Sequence, residues 1–147
     1  MQRGTELHDF ACQCIRLKVH LPKIKRTLNM YANDALQYSM TPEQPLYFSR
    51  NCFGTADAIA YNEVQKTLRI HDLKTGSIPA HMEQLQIYAA LFCLEYDVNI
   101  LDISVELRIY QNDEIIIHNP EVDEIVPIMD KIITSTKLLE TWESEGL

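Results

Sequence analysis

Four short stretches hold the residue types that could do chemistry. GTAD ends on Asp57, DLKTG opens fifteen residues later on Asp72 and carries Lys74, and Gln84 and Tyr88 follow at a spacing of four. His8 stands earlier, four residues after Gly4. In a strand, residues two apart share a face, so Asp72 and Lys74 project together with Leu68 and Ile70 behind them. Asp57, on the preceding strand, can lie across from Asp72. Two carboxylates held close in a buried setting repel unless a cation or a proton joins them. Hard oxygen ligands of this kind suit Mg²⁺ or Mn²⁺. A lysine beside such a cation could orient a water or stabilise charge developing on a phosphate. Gln84 and Tyr88 share a helix face and can bond phosphate oxygens or the lysine. The His8 imidazole can complete a metal shell that two aspartates leave open.

Each of these residues also has a plainer reading. Asp57 could cap a turn after Gly54, and Asp72 with Lys74 could be a structural ion pair. His8 could be a helix-surface histidine, and Gln84 and Tyr88 polar positions on a packed helix. Glu6 and Asp9 read as solvated. His71 faces away from Asp72 and reads as structural.

Taken together, the four stretches resemble the PD-(D/E)xK nuclease superfamily, in its RecB-like branch. That branch has G-x-x-x-H on its first helix, then a G-x-x-D strand, a D-x-K-T-G strand and a Q-x-x-x-Y helix. Here they stand in order as Gly4 to His8, Gly54 to Asp57, Asp72 to Gly76, and Gln84 to Tyr88. The stretches FGTADAI and LRIHDLKTG look like those of phage or prophage exonuclease-type members. The resemblance implies that His8, Asp57, Asp72 and the Leu73 backbone carbonyl bind Mg²⁺ or Mn²⁺. It implies that Lys74 positions or activates the attacking water, and that Gln84 and Tyr88 steady the lysine, the phosphate or the strand. It further implies DNA as substrate, with a helicase, recombinase or single-strand-binding protein as further partner, in the cytoplasm of a bacterial host. Some members form rings, and no motif here shows one, so a homo-oligomer stays open. The iron–sulfur cluster of some members needs cysteines near the C-terminus, and none follows Cys93. No G-x-x-x-x-G-K-[ST] occurs, so any motor would be another chain.

The elements that must position these residues are legible in outline. Leu7, Ala11, Cys14 or Ile15, and Lys18 recur at helical spacing, which predicts a helix over 3–18 that Pro22 ends. A second helix is expected over 27–40, capped by Thr27 or a neighbour. TPEQP, 41–45, reads as a breaker before a short strand at 46–49. Strands over 51–62 and 67–75 should pair antiparallel through NEVQK. Pro79 fits the first turn of a buried helix over about 79–96. A hairpin of 102–111 with 114–119 and a final helix from Glu121 to about Glu143 complete the chain. The fold class is α/β: a central mixed β-sheet flanked by helices. The resemblance makes that a restriction-endonuclease-like core, αβββαβ, in a single domain over 1–147.

Composition bounds the answer without deciding it. A chain of 147 residues, 46% hydrophobic and 23% charged, is long enough to bury a core. The longest apolar run, IYAALFCL, is too short to cross a membrane, and MQRGTELHDF lacks the apolar stretch of a secretory leader. Cys12, Cys14, Cys52 and Cys93 contain no C-x-x-C pair, which favours free thiols in a reducing compartment. The net charge of −8 argues against a general polyanion binder. It divides unevenly, as +4 over residues 1–26 and −12 over the rest. The basic stretch 15–26 is either a solvated face or a track for DNA phosphates. Tyr31, Tyr38 and Tyr47 are either ordinary aromatics or base-stacking platforms. The acidic residues over 121–145 read as helix surface or as an oligomer or partner face, and on a nuclease reading that helix faces away from the DNA. The leading expectation is a metal-dependent DNA nuclease. The alternatives are a non-catalytic nucleic-acid-binding module or partner subunit, and an interaction domain without DNA contact.

Overall fold

The computed structural model describes residues 2–146. The elements are α1 (Gln2–Leu17), α2 (Thr27–Gln37), β1 (Thr41–Ser49), β2 (Cys52–Asn62), β3 (Thr67–Leu73), α3 (Glu83–Glu95), a 3-10 turn (Ile100–Asp102), β4 (Ser104–Gln111), β5 (Glu114–His118) and α4 (Val122–Ser144). All five strands form one sheet in chain order, β1 to β5. Its pairings are antiparallel except between β3 and β4, which are parallel. A parallel pair needs a crossover, and α3 supplies it. The protein is therefore an α/β fold whose mixed sheet is flanked by helices. Among the described residues, no helix is long and apolar enough to cross a membrane.

Strand alternation gives the sheet two apolar faces, and each is covered. Leu68, Ile70, Leu107 and Ile109 pack with Leu85, Ala89 and Leu91 of α3 and with Ile125 and Ile132 of α4. Ala58, Leu73 and Tyr110 pack on the other face with Ala11 and Ile15 of α1 and Tyr31 and Ala35 of α2. That second face also buries charge. Arg108 bonds Glu106, Asp34 and the Tyr38 hydroxyl, while Arg69 pairs with Glu106 and lies over the Tyr38 ring. His71 is fully buried beside Tyr110 and Tyr38, on the opposite face from Asp72 as its position in the strand requires.

Several boundaries differ from expectation, each for a tertiary reason. TPEQP does not break the chain but opens β1. This is an edge strand, and the N–H of Tyr47 points outward to Glu95 Oε1 at 2.7 Å. Pro45, two residues earlier, shares that outward position, where a missing N–H costs no ladder bond. The second helix stops at Gln37, and Ser39 (φ +53) carries the chain away. Its first turn is capped from a distance: Asp113 Oδ1 accepts from Thr27 N (2.9 Å) and Thr27 Oγ1 (3.1 Å). The predicted helix from Pro79 begins instead at Glu83. Gln111 Nε2 donates to the carbonyls of Gly76 (2.9 Å) and Ile78 (2.7 Å), which holds 76–78 in a non-helical loop. The four cysteines are free thiols.

Candidate active site

β3 ends where its neighbours diverge. Its pairing with β2 runs only from Thr67 to His71, whereas its pairing with β4 reaches Leu73 and Tyr110. The next rung toward β2 would set Asp57 opposite Asp72. At that point the inward-facing pattern of β2 changes. Ala56 and Ile59 both belong to the core under α3, while Ala58 belongs to the core under α1 and α2. The inward parity therefore switches across Asp57. On β1 the residue facing this switch is Glu43, with φ +49, a conformation uncommon outside glycine. Asp57 Oδ2 accepts the Leu73 N–H at 2.8 Å in place of a main-chain ladder bond.

His8 reaches the same spot from α1. Its Nδ1 lies 2.8 Å from the Gly4 carbonyl and its Nε2 lies 2.7 Å from the Leu73 carbonyl. Asp57 Oδ2 is 3.6 Å from that Nε2. Both ring nitrogens face acceptors, so the ring is held as imidazolium. The Asp57 carboxylate, with the carbonyls of Gly4 and Leu73, overcomes partial burial and pushes the His8 pKa up to about 9. Burial would raise Asp57, but His8 and the Leu73 N–H outweigh it and hold that carboxyl below its ordinary value.

Asp72 is only 5% exposed. Burial first, then the charge of Asp57, pushes it up to about 7, against the pull of Lys74. Lys74 Nζ stands 3.1 Å from Asp72 Oδ2 as an ion pair, yet that buried oxygen receives no directed hydrogen bond. Lys74 itself is half-buried, and its N–H donates to Tyr110 O at 2.9 Å.

The motif glycines have steric reasons. A Cβ on Gly54 would stand 2.7 Å from Tyr88 Cε1, so the ring lies directly on β2. The Tyr88 hydroxyl accepts from Gln84 Nε2 at 2.9 Å, and its pKa is raised by burial and by Asp72 and Asp57. A Cβ on Gly4 would stand 2.9 Å from Thr75 Oγ1. A Cβ on Gly76 would meet nothing within 4 Å, so close packing does not explain that glycine.

The structure thus gathers His8, Asp57, Asp72, the Leu73 carbonyl and Lys74 at the end of β3, with Gln84 and Tyr88 on the adjoining face of α3. Two carboxylates, a carbonyl and an imidazole fit a hard divalent cation, and the buried Asp72 oxygen, paired with Lys74 but without a directed hydrogen bond, has room for a further partner. Among the described residues no three His, Cys, Asp or Glu side chains already stand as a metal-holding group. His8 would first have to release its Nε2 proton.

Other expectations fare differently. Tyr31 is 3% exposed and Tyr38 is committed to Arg69 and Arg108. Tyr47 alone of the three is open, at 53%. The basic stretch is partly neutralised: Arg16 pairs with Glu43, Lys25 with Glu114 and Arg26 with Asp113. Two contributors have no signature in the sequence motifs. Gln111 ties the loop after Lys74, and Glu43, at positive φ, faces Asp57 from β1. A cavity of about 750 Å³ lies at the far end of β2 between Tyr38, Tyr61 and Tyr96, away from this cluster.

No protein-family model, no curated protein and no solved structure matches this chain.

Proposed function

We propose that this protein is a metal-dependent DNA nuclease of the PD-(D/E)xK superfamily, RecB-like branch, with a restriction-endonuclease-like core. The observation that carries the reading is the convergence of His8, Asp57, Asp72 and the Leu73 carbonyl beside Lys74, around a buried carboxylate oxygen without a hydrogen bond. Asp57, Asp72, the Leu73 carbonyl and neutral His8 would hold Mg²⁺ or Mn²⁺. Such an ion polarises a phosphodiester and lowers the pKa of a bound water. Lys74 orients the attacking water and offsets charge growing on the phosphate oxygens. The water oxygen bonds to phosphorus and its proton passes to solvent, while the bond to the leaving sugar oxygen breaks in line and that oxygen takes up a proton from solvent. Tyr88 and Gln84 hold the phosphate or the strand at the α3 side. A phage-type exonuclease working in a bacterial cytoplasm, beside a helicase, recombinase or single-strand-binding protein, fits this chemistry.

One observation favours the alternative, a nucleic-acid-binding module or partner subunit retaining the fold. The His8 imidazolium already clasps Leu73 and Asp57, so the cluster is closed without a cation. Incubation with labelled single-stranded, duplex and branched DNA in Mg²⁺ or Mn²⁺ separates the two. Cleavage that EDTA stops and Asp72→Asn abolishes supports the nuclease. Salt-sensitive binding that survives EDTA, with no cleavage on any substrate, supports the module.

A further inference from the structure

Lys74 opens the segment that runs from the end of β3 to the start of α3, residues 74–82. Every residue from Thr75 to Pro79 is exposed. The Ile78 side chain stands in water, and a Cβ on Gly76 would meet nothing within 4 Å. Packing therefore does little to hold this stretch. What holds it is Gln111, the last residue of β4. Gln111 is only 6% exposed, and its Nε2 donates to both the Gly76 carbonyl (2.9 Å) and the Ile78 carbonyl (2.7 Å). A primary amide is a neutral group that gives two hydrogen bonds from one atom, and burying one is costly unless it does so.

We infer that Gln111 is a positioning residue for Lys74: by clamping the chain at 76 and 78 it fixes where the lysine ammonium stands beside Asp72. The register sets the two residues side by side. Leu73 pairs with Tyr110, and the Lys74 N–H continues that ladder to Tyr110 O at 2.9 Å, so Gln111 is the next residue alongside Lys74 on the adjoining strand. Ile70 and Ile109 pack under α3, and alternation turns Asp72, Lys74 and Gln111 to the same face. Lys74 is thus anchored on both sides. Its own N–H is bonded to β4, and the carbonyls two and four residues further on are bonded to the side chain that ends β4. With both anchors, the contact of 3.1 Å between Lys74 Nζ and Asp72 Oδ2 is made from a fixed backbone. Without the second, the chain beyond Lys74 swings and the ammonium moves with it. A shift of about 1 Å in a group that orients a reacting water costs about 10²-fold in rate. Gln111 acts through Lys74 and not on the phosphate.

The effect on turnover rests on the nuclease reading, and two kinds of readout keep them apart. Gln111→Met and Gln111→Glu keep the side chain's length and remove both donors. The clamp itself is read without activity, as the rate of tryptic cutting after Lys74 followed by mass spectrometry, with cutting after the exposed Lys66 as internal reference. Loss of two hydrogen bonds is expected to speed cutting at Lys74 about ten-fold or more, with cutting at Lys66 unchanged. On DNA in Mn²⁺, kcat is expected to fall about 10–100-fold while KM and the Mn²⁺-induced rise in melting midpoint hold. In a Lys74→Ala background the same substitutions are expected to change kcat by less than about two-fold, because the group they displace is already gone. Unchanged cutting at Lys74, an unchanged kcat, a loss carried by KM, a full further loss on top of Lys74→Ala, or failure of both variants to fold would each overturn the inference. Faster cutting at Lys74 in the variants of a protein that cleaves no DNA would keep the clamp and overturn the nuclease.

Discussion

His8 Nε2 and the Leu73 carbonyl oxygen lie 2.7 Å apart, although 65 residues separate them in the chain. The contact bridges α1 to the last residue of β3 and places an imidazolium against two atoms that the proposed reaction assigns to a cation. Proton and metal would therefore compete for one position.

Cation binding is expected to tighten as pH rises. Without a cation, His8 titrates near 9, above its ordinary 6.5, and Asp72 near 7, above its ordinary 3.8. Both folded values are raised, so each group stabilises the cation-free fold at low pH. The Asp72 contribution is lost as pH rises through 7 and the His8 contribution as it rises through 9. A divalent cation restores what the departing protons removed. Thermal melts with and without Mn²⁺ should show a stabilisation that grows from pH 6 to pH 9, and calorimetry in two buffers should show proton release. Equal stabilisation at both pH values would contradict competition.

Asp72→Asn should separate stability from function. It removes a buried charge that Asp57 repels, so the cation-free melting midpoint is expected to hold or rise, while Mn²⁺-induced stabilisation and cleavage disappear. Lys74→Ala should keep the Mn²⁺ effect and slow turnover about 10²–10³-fold. Melting curves and single-turnover cleavage on the same samples check both variants.

His71 should mark the acid limit of the fold. Burial, then the charges of Arg108 and Arg69, lowers its pKa to about 3. The folded state rejects a proton that the unfolded chain accepts below 6.5, so stability contributed by neutral His71 falls as pH drops from 6.5 toward 3. The slope is about 1.4 kcal/mol per pH unit in that window. Urea midpoints of His71→Gln should therefore fall less steeply between pH 6 and pH 4 than those of the wild-type protein.

The two glycines that flank Asp57 and Lys74 should answer substitution differently. Gly54→Ala drives a methyl into the Tyr88 ring and is expected to cost about 1–3 kcal/mol, with loss of cleavage as Tyr88 leaves Gln84. Gly76→Ala meets nothing within 4 Å and is expected to change the melting midpoint little. A Gly54→Ala variant as stable and active as Gly76→Ala would show that the ring does not need its seat on β2.

Much of this site was legible because its parts are local. Spacings of two and four put Asp72 with Lys74 and Gln84 with Tyr88, and the NEVQK turn brought β2 against β3 with Asp57 near Asp72. The same periodicities located all nine regular helices and strands that the expectation named, apart from their ends. Edge position could not be read from TPEQP, because a proline's tolerance depends on which side of the strand has a neighbour. Helix starts failed for the same kind of reason. Asp113 caps α2 from 86 residues away, and Gln111 holds 76–78 out of the helix from 35 and 33 residues away.

The sequence by itself determined the inventory: two aspartates, a lysine, a histidine and a glutamine–tyrosine pair on strands and helices of known period. Only the tertiary structure decided their states. Burial pushed Asp72 upward, the end of β2–β3 pairing at His71 left Leu73 N–H to the Asp57 carboxylate, and α1 delivered His8 to the carbonyl of the same residue. Those effects depend on which distant groups exclude water and donate hydrogen bonds, and such neighbours are set by packing rather than by spacing along the chain.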